Sequence, residues 1–262
     1  MNEESNEDLL AVLRTIAERA GKAILAYYVE EGDIEVKSKE DASPVTEADE
    51  AAEAFILEAL GKLTPEIPIV SEEAFAAGKI PEVGRRFWLV DPLDGTKEFL
   101  SRNGEFTVNI ALIEDGRPVA GIVHAPALAM TWAGAVDEER SIATFSQTDH
   151  PTMEISARAR PDDGVTVVAS RRHGSGGELD AFLADYKVKE NLAAGSSIKF
   201  CVIASGKADL YPRFGRTMEW DTAAGQAVLA AAGGRVETAE GEPLTYGKPG
   251  FENPHFIAYG KS

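Results

Sequence analysis

Asp91-Pro92-Leu93-Asp94-Gly95-Thr96 holds the residues best suited to chemistry. Two carboxylates three positions apart on one turn repel each other, and a cation between them relieves that cost. Hard divalent ions prefer oxygen ligands, and the carbonyl of Leu93 lies between the two acids as a third donor. Phe87 to Val90 is a short apolar run, which reads as a buried strand delivering Asp91 at its C-terminal end. Pro92 is expected to stop that strand, because it has no N–H for the ladder. Gly95 permits a tight turn. Thr96 to Leu100 could open a helix whose free N–H groups suit a phosphate beside the cation. The chemistry this implies is metal-assisted work on a phosphate. A plain turn is the alternative. The segment is not an EF-hand loop, which needs a Glu at its twelfth position. It also differs from the DxDGT of aspartyl-phosphate phosphatases, whose carboxylates are two apart, so that nucleophile geometry does not transfer.

More acids stand at element ends elsewhere. Ile67 to Val70 reads as a second apolar strand, ending in Ser71-Glu72-Glu73. Open sheets build sites at the C-terminal ends of strands, which makes Glu72 a candidate ligand; the alternative is that Glu72 and Glu73 are solvated loop acids. Thr46 reads as an N-cap, with Asp49 at the third position of a helix running to about Leu60. Asp49 is either a capping acid favoured by the helix dipole or a carboxylate offered to the site. Asp221 starts an Ala-rich helix that Gly233 ends, and it is either an N-cap or a further ligand. Gly195-Ser196-Ser197, before a helix over Ile198 to Ser205, offers N–H and hydroxyl groups to an anion or simply caps the helix.

The remaining elements read as scaffold. Leu10, Leu13, Ile16, Ala17, Ala20 and Ile24 fall at helical spacing within a long helix over Leu9 to Tyr28. Ile34 to Lys37 reads as a short strand. Phe106 to Ile113, Arg117 to His124 and Ala129 to Val136 read as a β-meander, with Asp115-Gly116 as a hairpin turn. Ser141 to Phe145 and Thr152 to Ile155 add strands. The breaker-rich segment Arg158 to Gly164 suggests a boundary, giving an N-terminal α+β part over 1–158 and a C-terminal α/β part over 159–262. In the latter, Val165 to Ala169, Lys187 to Leu192 and Ala208 to Tyr211 read as strands alternating with helices over Glu178 to Ala184 and Ile198 to Ser205.

The 262 residues are 44% hydrophobic and 27% charged, enough for an ample core. Lys plus Arg is 26 against 44 Asp plus Glu, a formal net charge of −18. Such a surface repels nucleic acid and anionic membranes, and an anionic substrate would need bridging cations. The single Cys201 can form no internal disulfide, as expected in a reducing compartment. Met1-Asn2-Glu3-Glu4 lacks a signal peptide's basic and apolar regions, and no apolar run reaches transmembrane length. A cytoplasmic protein without an integral membrane segment is expected. The histidines, His124, His150, His173 and His255, show no ligand spacing.

The ordered set Glu72-Glu73, Asp91-Pro92-Leu93-Asp94-Gly95-Thr96 and Trp220-Asp221-Thr222-Ala223-Ala224-Gly225 resembles the inositol monophosphatase superfamily of metal-dependent phosphomonoesterases. Lys97-Glu98-Phe99, Asn103-Gly104-Glu105-Phe106-Thr107-Val108-Asn109, Gly195-Ser196-Ser197-Ile198-Lys199-Phe200 and Leu210-Tyr211-Pro212-Arg213-Phe214-Gly215 look like its 3'(2'),5'-bisphosphate nucleotidase branch, of the bacterial CysQ type. The resemblance implies an α/β fold, a layered αβαβα sandwich. It implies hydrolysis of adenosine 3',5'-bisphosphate to AMP and phosphate, linked to sulfate assimilation. Direct in-line attack by water is implied, with two or three Mg²⁺ ions and sensitivity to Li⁺. Glu72, Asp91, the Leu93 carbonyl, Asp94 and Asp221 resemble the Mg²⁺ ligands. Asp49 and Thr96 match the pair that orients and deprotonates the water, and Glu72 is counted with them as catalytic. Glu72, Leu93, Asp94, Gly95, Thr96 and Asp221 face the substrate by the same resemblance, and Ser170, His173, Gly195 and Lys199 fall where nucleotide contacts lie. The partner expected is a small nucleotide, on a monomer or homodimer. Some relatives are assigned to the cytoplasmic face of the inner membrane, which nothing in this charge balance supports. The alternatives are an inositol- or sugar-phosphate phosphatase of the same superfamily and a non-catalytic Mg²⁺- or nucleotide-binding module.

Overall fold

The structure, a computed structural model, describes residues 5–29, 36–38, 44–137, 140–170 and 177–261. In chain order it starts with α1 (Asn6–Val29), β1 (Val36–Ser38), β2 (Pro44–Thr46) and α2 (Glu47–Leu63). Next come β3 (Ile69–Ser71), α3 (Glu72–Ala76), β4 (Arg86–Asp94) and α4 (Thr96–Leu100). A run of strands follows: β5 (Thr107–Glu114), β6 (Arg117–Ala125), β7 (Met130–Val136), β8 (Ser141–Gln147) and β9 (Met153–Glu154). The remainder is β10 (Val165–Ala169), α5 (Gly177–Leu183), β11 (Val188–Ala193), α6 (Ile198–Ala204), β12 (Leu210–Arg213), α7 (Glu219–Ala231), β13 (Arg235–Thr238) and β14 (Phe256–Tyr259).

Strands β3 to β9 form a seven-stranded sheet in sequence order, antiparallel except for the parallel β3–β4 pair. A second sheet has the order β11-β10-β12-β14-β13, parallel across its first three strands and antiparallel across the rest. The apolar runs of β4 and β5 are long because both faces of the larger sheet are buried. Successive side chains alternate sides. Trp88, Val90, Val108, Ile110 and Leu112 therefore pack with Leu13, Ile24, Ile56 and Leu60 of α1 and α2. Phe87, Leu89, Ala111 and Ile113 pack on the other side, with α6, α7 and one face of the smaller sheet. Val165, Val167, Leu210 and Ile257 on that sheet's outer face meet Phe182 and Leu183 of α5. The layers run α, β, α, β, α, as the resemblance implies.

Helix α7, from the later part of the chain, lies against β5, β6 and β7. Its Ala-rich face and two strand glycines allow the close approach. A Cβ at Gly121 would come within 2.7 Å of Ala227 Cβ, and one at Gly134 within 2.6 Å of Val228 Cα. Gly134→Ala is therefore expected to destabilise the fold by about 1–3 kcal/mol, since neither backbone can yield without moving a layer. A urea midpoint unchanged from wild type would show the layers are not locked here.

Several boundaries differ from the sequence reading. Strand β3 starts at Ile69, because Pro68 cannot donate to a ladder. Pro92 does not stop β4, which runs on to Asp94 through an irregularity. Asp221 does not start α7 or stand at its N-cap; it is the helix's third residue, two after Glu219, and caps from there by accepting the Met218 N–H. Strands β13 and β14 lie in a Gly- and Pro-rich stretch without local periodicity. Of the strand expected at Ile34 to Lys37, only Val36 and Lys37 lie within the described residues.

Candidate active site

The acids converge through strand pairing. Strand β3 runs parallel to β4 with Ser71 opposite Val90, so Glu72 emerges beside Asp91. Asp91 pairs with Asn109 and Asp94 with Thr107, so three steps along β4 match two along β5. That one-residue bulge absorbs Pro92, whose missing N–H falls where no ladder bond is made, and re-aims Asp94. Asp91 Oδ1 accepts the N–H of Leu93 at 3.1 Å and holds the turn. Gly95 then takes φ +89°, a left-handed conformation, and α4 begins at Thr96, whose hydroxyl donates to the Leu93 carbonyl at 3.4 Å.

Asp49 is the third residue of α2 and only 1% exposed. The side chain of Thr46, its expected cap, lies outside what is described. Asp221 accepts the N–H of Met218 at 2.8 Å, as an acid at the third helical position does. Burial pushes the Asp91 carboxyl well above the usual carboxylate range, and the charges of Glu72, Asp94, Asp221 and Asp49 push it further. Asp221 is raised by burial, Asp94 and Glu72, against the opposing pull of the Met218 N–H and Arg213. These carboxylates are electrostatic neighbours rather than a closed cage. Among the described residues no three His, Cys, Asp or Glu side chains converge on one point at ligation distance.

Asp94 is held by residues that the sequence reading did not connect with it. Its Oδ2 accepts from Ser196 Oγ at 2.5 Å, Ser197 Oγ at 3.1 Å and Asn109 Nδ2 at 3.3 Å. Thr107 Oγ1 bonds both Asn109 Oδ1, at 3.0 Å, and Ser196 Oγ, at 2.5 Å. The signal was present: Thr107 and Asn109 are polar residues two apart in an otherwise apolar strand, hence on one face. The Gly195-Ser196-Ser197 segment is thus committed within the protein rather than offered to an anion. Gly195 donates its N–H to Glu105 Oε2 at 2.7 Å, and both serine hydroxyls reach Asp94.

A cleft adjoins the acids through Asp94 and Asp221, and Gly95, Ser170, Lys199 and Arg213 also line it. Ser170 is there because it follows β10, and Arg213 because it ends β12. The sequence reading missed Arg213 as a site residue. Lys199 is only 5% exposed, which excludes a surface charge. Its ammonium donates to the carbonyls of Ser196 and Ala194 and lies 5.3 Å from the Tyr211 ring centre. Burial lowers its pKa to about 8, with Arg213 adding to the effect and Asp94, Glu98 and Glu105 opposing it. His173 lies outside the described residues. The cleft therefore holds both acids and cations. Its carboxylates suit a hard cation, and Lys199 and Arg213 suit an anion.

A fold of this layering and acid arrangement has relatives. The model of the inositol monophosphatase family matches residues 5–258, and the chain belongs to that family. The 3'(2'),5'-bisphosphate nucleotidase CysQ of Escherichia coli is 45% identical over 92% of this chain and 95% of its own length. The protein of the same name from Salmonella typhimurium is 46% identical over the same shares. Among solved structures, CysQ from Bacteroides thetaiotaomicron superposes with a TM-score of 0.79 at 37% identity, covering 97% of each chain. An inositol monophosphatase from Zymomonas mobilis gives 0.78 at 26% identity, covering 99% of this chain and 95% of its own. Among the described residues no helix is long and apolar enough to cross a membrane.

Proposed function

We propose that the protein is a 3'(2'),5'-bisphosphate nucleotidase that hydrolyses adenosine 3',5'-bisphosphate to AMP and phosphate with divalent cations, Mg²⁺ first among them. The observation that carries this reading is the buried carboxyl of Asp91 facing the charges of Glu72, Asp94, Asp221 and Asp49. Two buried carboxyls, Asp91 and Asp49, beside three half-buried ones are costly without a cation, and all the donors are hard oxygens. The residues thus fit the ions, with Glu72, Asp91, Asp94, Asp221 and the Leu93 carbonyl to hold them. Bound there, the cations would neutralise phosphate oxygens, ease deprotonation of water and stabilise the leaving oxygen. Thr96 orients the attacking water, and its proton passes by way of Thr96 toward Asp49. Attack is direct, with no covalent phosphoenzyme. The Asn109, Ser196 and Ser197 bonds keep Asp94 fixed during the reaction. A place in sulfate assimilation and a cytoplasmic location follow from the same reading. The identity to nucleotidases over most of the chain favours the nucleotide over inositol or sugar phosphates. Phosphate release from adenosine 3',5'-bisphosphate, with Mg²⁺ against EDTA, tests the activity. Inositol 1-phosphate and fructose bisphosphate run beside it test the choice of substrate, and faster turnover of either would overturn that choice.

Lys199 is the proposed contact for the phosphate that the cations do not hold. Lys199→Met should lower kcat/KM for the bisphosphate by roughly ten- to a hundredfold, about 1.4 to 2.7 kcal/mol, and affect inositol 1-phosphate much less. The ammonium loses its charge as pH rises through about 8, so KM for the bisphosphate should climb there in the wild type and not in the variant. Equal losses on both substrates would mean that Lys199 only supports the Ser196 loop.

A further inference from the structure

A cavity of about 290 Å³ lies at the other end of the five-stranded sheet. The length of β10 and β12 separates it from the active-site cleft. Val165 and Leu210, at the starts of β10 and β12, line the cavity, whereas Ser170 and Arg213, at their far ends, line the cleft. In a chain of net charge −18, the cavity gathers Arg158, Arg160, Arg235 and Lys261.

The fold brings these cations together deliberately. Ala159 makes a parallel bridge with Lys261, and Lys261 N–H donates to the Arg158 carbonyl at 2.9 Å. Arg158 and Arg160, two apart, flank that bridge. Arg158 is fixed by Asp209, with Nε to Oδ1 at 2.8 Å and Nη2 to Oδ2 at 2.7 Å, and is structural. Arg235 is partnered by Glu237 at 2.8 Å and lies 4.4 Å from the Tyr259 ring centre. Nearby Asp163 is taken by Lys189 at 2.5 Å. Among the described residues, neither Arg160 nor Lys261 has an acid within ion-pair distance. The Arg160 guanidinium stacks 4.8 Å from the Tyr186 ring centre, and Lys261 donates to the neutral Ser156 hydroxyl at 2.7 Å. A guanidinium steadied by a ring rather than a carboxylate keeps its fork of donors for phosphate oxygens.

We propose that this cavity is a second anion site, which binds the phosphate group of a small phosphorylated molecule through Arg160 and Lys261. Tyr186 and Tyr259 offer ring edges to the rest of the ligand. A nucleic acid does not fit, because its phosphates outside the cavity would meet the negative field of the whole surface. The inference is independent of the proposed activity.

Titration calorimetry with AMP, in EDTA and low salt, tests it. Saturable binding with Kd on the order of 0.1–1 mM is expected. The double variant Arg160→Ala/Lys261→Ala should weaken it about tenfold or more and leave phosphatase activity within about twofold, while Lys199→Met leaves this binding in place. Arg160→Lys/Lys261→Arg, which keeps the charges, should retain it and so separates charge from damage to the fold. Inorganic phosphate should compete for the same site. Absence of saturable binding, wild-type affinity in the alanine variant, or loss in Lys199→Met would overturn the proposal.

Discussion

Asp94→Asn is expected to cut phosphate release by a factor of about a hundred or more at saturating Mg²⁺ while the fold stands. The structure explains why both halves hold. Asp94 Oδ2 accepts from Ser196, Ser197 and Asn109, and the amide oxygen of Asn can accept the same bonds. The amide nitrogen must then face the other acids. It has no lone pair for a cation, and the site loses one negative charge where the ions are proposed to sit. Fewer like charges near the buried Asp91 means the cation-free variant should melt no lower than wild type. Mg²⁺ is expected to raise the wild-type melting temperature, by about 2.7 kcal/mol of stabilisation at a hundred times Kd, and that rise should shrink in the variant. Turnover near wild type at saturating Mg²⁺ would remove Asp94 from the ligands.

Asp49→Asn separates two roles that the sequence left open. The residue is the third of α2, where an acid suits the helix dipole, and only 1% exposed, where an acid beside others is costly. A capping acid alone would cost at most about 1 kcal/mol on substitution and leave turnover largely unchanged. As the partner of Thr96 in handling the water's proton, it should reduce turnover by roughly a hundredfold or more. The melting temperature should barely move, because the helix keeps a polar side chain and the acid cluster loses a repulsion. Turnover and melting measured on one preparation decide the matter, and unaltered turnover would leave only the capping role.

Local rules carried much of the fold. Strands β5, β6 and β7 were legible because alternation and apolar runs have a period that burial enforces. The hairpin turn was legible because Asp115 and Gly116 both take positive φ, 48° and 74°, as Asp-Gly turns do. Helix α4 spans the residues read for it, since Gly95 supplies the left-handed entry. The six residues from Asp91 to Thr96 stood out as a candidate site by residue type and spacing, with a plain turn as the alternative until acids elsewhere in the chain were added. Strands β13 and β14 were not legible, because their pairing is long-range and their sequence is broken by Gly and Pro. What the sequence by itself determined was which acids stand near element ends and where most helices and strands run, both matters of spacing along the chain; the layering came from the family resemblance. The tertiary structure alone decided that Glu72 emerges beside Asp91, that a bulge turns Asp94 toward Ser196, Ser197 and Asn109, and that Lys199 is buried beside Arg213. The physical reason is that parallel pairing, bulge register and sheet-on-helix packing are set by contacts between distant segments, which no local pattern encodes.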